Sequence, residues 1–334
     1  MDYPQKHDSG LMLNTLKIKI LLAMAFLYDF KRYWRYSFVA HQTSRGNRRA
    51  IIRIFTHYIE GGMAFPDVRL GYGQDKAVSV MMKLRSYHAD FGVDETVLWA
   101  LATLKAYFAY HAERDFDLSE LVDEFDALSQ NISARGQEIM GGTEVVTSAE
   151  IRAAGMIDFE KFMQHRHSVR QYAKGPLDDE TIVRIVRNAQ QCPSVCNRQT
   201  CKVYAINNLE RVQEVLAFQA GNAGFRQDIQ TVFIVTSNLS EMNLIGERYQ
   251  GWIDGGIFAM ALALAIHAEG LGACFLNWSV QPSQDRAMRK HLGITDDELV
   301  ITMMSAGHLK EVFSVPVSHR RPLEEVLTLN PSDS

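Results

Sequence analysis

The apolar positions of this chain change rhythm from one segment to the next. Ile182, Ile185, Val186 and Ala189 keep the i, i+3, i+4, i+7 spacing of one helix face. Gly175-Pro176 breaks the chain ahead of them. Leu177-Asp178 then reads as a hydrophobic staple and N-cap, with Ile182 closing the staple. Pro193 ends that helix, and Ser194, Asn197 and Gln199 follow in a polar loop. Short apolar runs predict strands at Lys202 to Ile206, Thr231 to Thr236, Ala273 to Trp278 and Leu299 to Ser305. Between the second and third lies Trp252 to Glu269, which is apolar on almost every side. Such a helix must be buried all round, in a core or at a subunit interface. Asp254, His267 and Gly255-Gly256 argue against its crossing a membrane, and Gly270-Leu271-Gly272 caps its end.

The pattern before about Gly155 is almost wholly helical. Ala77 to Ser86 and Glu95 to His111 have helical patterns, and Leu118 to Leu128 predicts an acidic helix. Leu11 to Phe38 mixes apolar and aromatic runs with Lys17, Lys19, Lys31, Arg32 and Arg35. Its uninterrupted apolar core, Ile20 to Tyr28, falls well short of the roughly 20 residues a spanning helix needs. The expected arrangement is a helix packed on its own protein with its basic residues in water. Residues 11–38 are also compatible with peripheral contact to an anionic membrane surface. His57, His88 and His111 lack metal-ligand spacing. Gly136 to Gly155 is the linker candidate, which divides the chain into a helical region, 1–150, of unassigned role and a second domain, 151–334.

Composition narrows the classes. The 334 residues are 47% hydrophobic and 22% charged, ordinary for a globular protein. A net charge of −4 gives no reason to expect a nucleic-acid partner. The charge is uneven: residues 1–50 hold nine Lys/Arg against three Asp/Glu, and residues 111–160 hold three against twelve. Cys192, Cys196, Cys201 and Cys274, with no secretory signal, suggest a reducing, cytoplasmic setting. The C-x3-C-x4-C spacing fits neither zinc pairs nor iron–sulfur runs, so buried thiols are expected and no metal.

Chemistry concentrates between Arg166 and Cys201. Arg166, Ser168 and Arg170 alternate, so in an extended segment two guanidiniums and a hydroxyl share a face. Arginine forks match phosphate oxygens, which makes this half of a phosphate site. The order R-x-S-x-R, capped helix, P-S-x-x-N-x-Q and strand resembles the FMN-dependent nitroreductase family. The resemblance spans about residues 158–327 and continues through the long helix, the Gly-Leu-Gly passage, Ala306-Gly307-His308 and the closing Arg320-Arg321-Pro322-Leu323-Glu324-Glu325.

That resemblance implies an α+β fold: a mixed central sheet flanked by helices, with a long buried central helix that forms a dimer core, here preceded by an all-helical region. It implies FMN as cofactor, held by Arg166, His167, Ser168, Arg170, Arg320 and Arg321, with Phe275, Leu276 and Asn277 beneath the flavin ring. Pro193, Ser194 and Asn197 would reach the flavin of the opposite subunit of a homodimer. NADH or NADPH would supply two electrons for a small acceptor such as a nitroaromatic, quinone or enone, with no catalytic side chain. Ser318 stands where many members have Lys, and Asn277-Trp278 stand where small or acidic residues are common. The same fold hosts reductive dehalogenation and flavin fragmentation, which stay open, as does a non-catalytic helical scaffold. The N-terminal half carries no recognised site, so a fragment from Ala149 is expected to keep FMN if it stays soluble.

Overall fold

The computed structural model describes residues 8–39, 42–65, 68–132 and 139–330. The first half is helical: α1 (Asp8–Tyr36), α2 (Arg45–Met63), α3 (Gln74–Phe91), α4 (Glu95–Ala112) and α5 (Ser119–Asn131). Ser44 and Asp94 cap α2 and α4 by accepting backbone N–H groups, which supplies partners that a helix start lacks. The apolar faces of α2 to α5 meet in their own core, with Ile52, Leu84, Val97, Leu104 and Tyr107 at its centre. Two short helices, α6 (Ser148–Ala154) and α7 (Phe159–His165), follow. Residues 136–138 of the expected linker lie outside the described residues, and α6 occupies its far end, opened by a Thr147–Glu150 capping box.

The second half continues with α8 (Asp179–Ala189), β1 (Cys201–Ile206), α9 (Leu209–Leu216), β2 (Thr231–Asn238), α10 (Gln250–Ala268), β3 (Gly272–Asn277), α11 (Pro282–Leu292) and β4 (Glu298–Gly307). The strands form one antiparallel sheet in the order β1-β2-β4-β3. The parallel component of the expected mixed sheet is confined, among the described residues, to a bridge between Ser168 and Ala273. Alternation sends Val232 and Ile234 to one face, with α9 and α11, and Phe233 and Val235 to the other, with α8 and α10. Covered on both faces, β2 reads as a continuous apolar run.

A register shift opposite Val235-Thr236 leaves Ile301 as an extra residue in β4. Ile301 lies against Gly255 of α10, where an added Cβ would come within 2.5 Å of it. Gly255 is thus the place where helix and sheet touch. Ile245–Ala268 is the segment, among the described residues, that is long and apolar enough to cross a membrane, yet half of it is buried in the body. Within one chain α10 buries Phe258, Ala259, Leu262, Ala263 and Ile266. Trp252, Ile253 and Ile257 stay exposed along one stripe.

The helical half is joined to the sheet half through arginines, Arg32 and Arg53 buried and Arg49 half-buried. Arg32 donates to the carbonyls of Asp296 at 3.0 Å and Glu298 at 2.5 Å. Arg49 pairs with Glu241, which is almost fully buried, and Arg53 donates to the Arg198 carbonyl. Tyr28 adds a 2.7 Å hydrogen bond to Asp285, which Arg289 also holds. These contacts run against a freely separable second half. Removing residues 1–148 leaves Glu241 without Arg49, and breaking such a buried pair costs about 3–5 kcal/mol. A fragment from Ala149 is therefore expected to unfold or aggregate, read as loss of a cooperative transition in urea.

Candidate functional site

The Arg166–Arg170 segment is fixed by the edge of the sheet. Val169 donates its N–H to the Ala273 carbonyl at 2.9 Å and buries its side chain. Gly272 allows this approach: a Cβ there would lie 2.9 Å from Val169. Tyr172 locks the other side, donating to the Val169 carbonyl at 2.7 Å and meeting Ser305 Oγ at 2.8 Å. With Val169 turned inward, its neighbours turn out.

A cleft of about 670 Å³ opens there, lined among others by Arg166, His167, Ser168, Phe275, Met260 of α10 and Arg320. Its described lining holds no carboxylate. Arg166 and Arg320 come from opposite ends of the second half, so their convergence on one cleft is a product of folding. At the inner edge, His165 and His267 adjoin Arg166. Burial lowers the His267 pKa, the Phe162 carbonyl opposes this, and nearby Arg166, His165 and His167 lower it further. With Arg166 and Arg320 in it and no carboxylate in its described lining, the cleft suits a negative group.

Other expected residues fall elsewhere. Arg170 leaves the shared face and lies over the Phe225 ring, 6.0 Å from its centroid. Arg321 points outward toward Glu325 at 3.8 Å. The Leu276 side chain is in the core, so only its backbone faces the cleft side, whereas Phe275 and Asn277 are exposed. Trp278 is not in the cleft: its Nε1–H donates to Asp285 at 2.9 Å.

Pro193 and Ser194 sit beside Asp254, near the start of α10. Asp254 and His267 mark its two ends, and at 1.5 Å per residue they are about 20 Å apart. The cleft reaches α10 at Met260, between these ends, and Pro193 and Ser194 line a separate hollow beside Asp254 that shares none of its lining residues. The backbone here is unusual: Cys196, Asn197 and Gln199 have φ of 48°, 48° and 52°, left-handed values that non-glycine residues rarely adopt. Asp254 helps hold the turn by accepting the Val195 N–H at 3.3 Å.

The main support is a residue that sequence reasoning passed over. Arg198 is 0% exposed, pairs with both oxygens of Glu247 at 2.7 and 2.9 Å, and donates to the carbonyls of Glu241 and Val195. Nothing local marks it, because Glu247 and Glu241 are remote in sequence. The cysteines are free thiols. Burial pushes Cys201 up to about 12, and it raises Cys274 despite nearby Arg170 and Arg166, so neither is poised as a thiolate.

The family model that matches this chain is "Nitroreductase family", over residues 163–223, the stretch holding both the R-x-S-x-R segment and the strained loop. The second half is nitroreductase-like. An Archaeoglobus fulgidus protein called "Putative NADH dehydrogenase/NAD(P)H nitroreductase" is 25% identical over 153 residues, covering 45% of this chain and 85% of that protein. Among solved structures, a putative nitroreductase of Desulfovibrio desulfuricans in complex with FMN is 22% identical, covering 53% of this chain and 99% of its own, with a TM-score of 0.46. An FMN-dependent nitroreductase of Clostridium difficile is 19% identical, covering 51% and 98%, with a TM-score of 0.43. The nitroreductase-like half thus accounts for about half of the chain, and α1 to α5 lie outside the family-model match.

Proposed function

We propose that this protein is an FMN-dependent NAD(P)H oxidoreductase acting as a homodimer. The observation that carries the reading is the convergence of Arg166, Ser168 and Arg320 on one cleft whose described lining has no carboxylate. Two guanidiniums and a hydroxyl suit a phosphate monoester, and Phe275 offers an apolar surface beside them. FMN held there would supply two-electron redox chemistry between NADH or NADPH and a small organic acceptor. The chain's own residues bind and orient it: Arg166 and Arg320 the phosphate, the backbone of Phe275 to Asn277 the ring.

The exposed Trp252, Ile253 and Ile257 stripe supports the dimer. A two-fold axis across α10 pairs it antiparallel with its copy, so the partner's Asp254 end meets this chain's His267 end. The Pro193–Asn197 loop of one protomer then faces the cationic cleft of the other.

Cofactor titration tests the phosphate assignment. Each charge-assisted contact is worth about 1.5–3 kcal/mol, so Arg166→Ala or Arg320→Ala should weaken FMN binding by about tenfold to a hundredfold. Riboflavin, which has no phosphate, should be little affected by either. Equal losses for both flavins would mean that the arginines do not hold a phosphate.

A further inference from the structure

α1 carries a surface that the flavin reading does not use. Its inner face is docked: Tyr28, Arg32 and Tyr33 all bond to the sheet half. At 100° per residue, Leu16, Ile20, Ala23, Leu27, Phe30 and Trp34 fall on the opposite side, and all six are exposed. Towards the N-terminus the helix passes beyond the body. Ile18 and Leu22, which share the docked side, are exposed there at 58% and 56%. This is a helix whose apolar residues are turned outward, the reverse of a core-facing amphipathic helix.

Charge indicates what covers it. Lys17, Lys19, Lys31 and Arg35 flank the outward stripe. The acid of the same stretch, Asp29, lines a cleft on the body side with Arg32. Among the described residues, four cations and no carboxylate border the stripe, on a chain whose net charge is −4. Two copies of α1 brought stripe to stripe would place these cations against one another. Lysines beside an apolar face that ends in Phe30 and Trp34 match the interface of an anionic bilayer. There, stems and rings enter the acyl boundary while ammonium groups stay with phosphates.

We propose that α1 is an interfacial anchor that lays its outward stripe on an anionic lipid surface and holds the two halves of the protein beside it. The proposal is independent of the flavin assignment, since none of these residues lines the cationic cleft.

Co-sedimentation of the full chain with phosphatidylcholine vesicles, with and without about one-third phosphatidylglycerol, tests it. Binding is expected to the mixed vesicles at low salt, with little to pure phosphatidylcholine, and to fall steeply towards about 1 M salt. Lys17→Glu with Lys31→Glu reverses two charges and should reduce partitioning by more than about a hundredfold. Leu27→Ser with Phe30→Ser should abolish it; both pairs are exposed, and an unchanged circular dichroism melt shows that folding is intact. Brominated lipid should quench tryptophan emission in the native chain, and much less in Trp34→Phe. No binding to anionic vesicles at low salt overturns the proposal. So does Leu27→Ser/Phe30→Ser breaking a lipid-free assembly, which would assign the stripe to a second copy of the chain.

Discussion

Arg198→Ala is expected to destabilise the fold by about 3–5 kcal/mol, because it leaves Glu247 without its bidentate partner and the Glu241 carbonyl without a donor. The loss is a large part of the roughly 5–15 kcal/mol a domain has to spare. Urea unfolding at neutral pH measures it. The same variant should alter the acid response. Burial alone would raise the Glu247 carboxyl, but the Arg198 hydrogen bond and the Asn243 N–H outweigh it, so its pKa is lowered. A depressed folded-state pKa adds stability above the ordinary carboxylate pKa and loses it as pH falls through the depressed value. The native chain therefore loses stability on acidification, and Arg198→Ala should lose less over the same window. Glu241, raised chiefly by burial, acts with the opposite sign, so the comparison is variant against native chain rather than against a calculated curve. A variant within about 1 kcal/mol of native would show that Arg198 is not what holds the loop.

Mixing two inactive variants is expected to restore activity. If the partner's Asn197 completes the site of Arg166, then an Arg166→Ala chain beside an Asn197→Ala chain makes one site with both defects and one with neither. Subunit exchange should then return up to about half of native activity to the heterodimers. Each variant alone should stay low. No recovery despite exchange proven by mass spectrometry would place both residues on the same flavin. In one chain, Pro193 and Ser194 line a hollow beside Asp254 and none of the cleft that Arg166 lines.

Much of the second half was legible in sequence because local rules suffice there. The staple and N-cap of α8, the unbroken apolar run of β2 and the long apolar α10 each follow from periodicity or capping. The phosphate half-site followed from alternation, but only Arg166 and Ser168 remain in the cleft; Arg170 extends to Phe225, a contact set by tertiary folding. Arg198 was invisible for the same reason, as its importance lies in Glu247 and Arg53. The helices of the first half were readable, and their attachment was not. Arg53, at an ordinary helical position, reaches a carbonyl 145 residues away. α1 was expected to pack on the body with its charges in water; its docked face does so, but its apolar stripe does not.

The joint between the halves has an asymmetry in what it can tolerate. Arg32 and Arg53 grip main-chain oxygens of Asp296, Glu298 and Arg198, and Asn47 grips that of Ser240. A carbonyl survives substitution of the residue that bears it. Sequence can drift at those acceptor positions, so far as their own side chains allow, without removing the hydrogen bond that the helical half needs. The donors have no such freedom, because the hydrogen bond comes from the side chain itself, a planar fork at Arg32 and Arg53 and a carboxamide at Asn47. Tolerance at these main-chain contacts should therefore be one-sided, with more lost at Arg32, Asn47 and Arg53 than the hydrogen bond itself requires of Asp296 or Ser240, whereas Glu241 and Asp285 take part through their side chains and are bound like the donors.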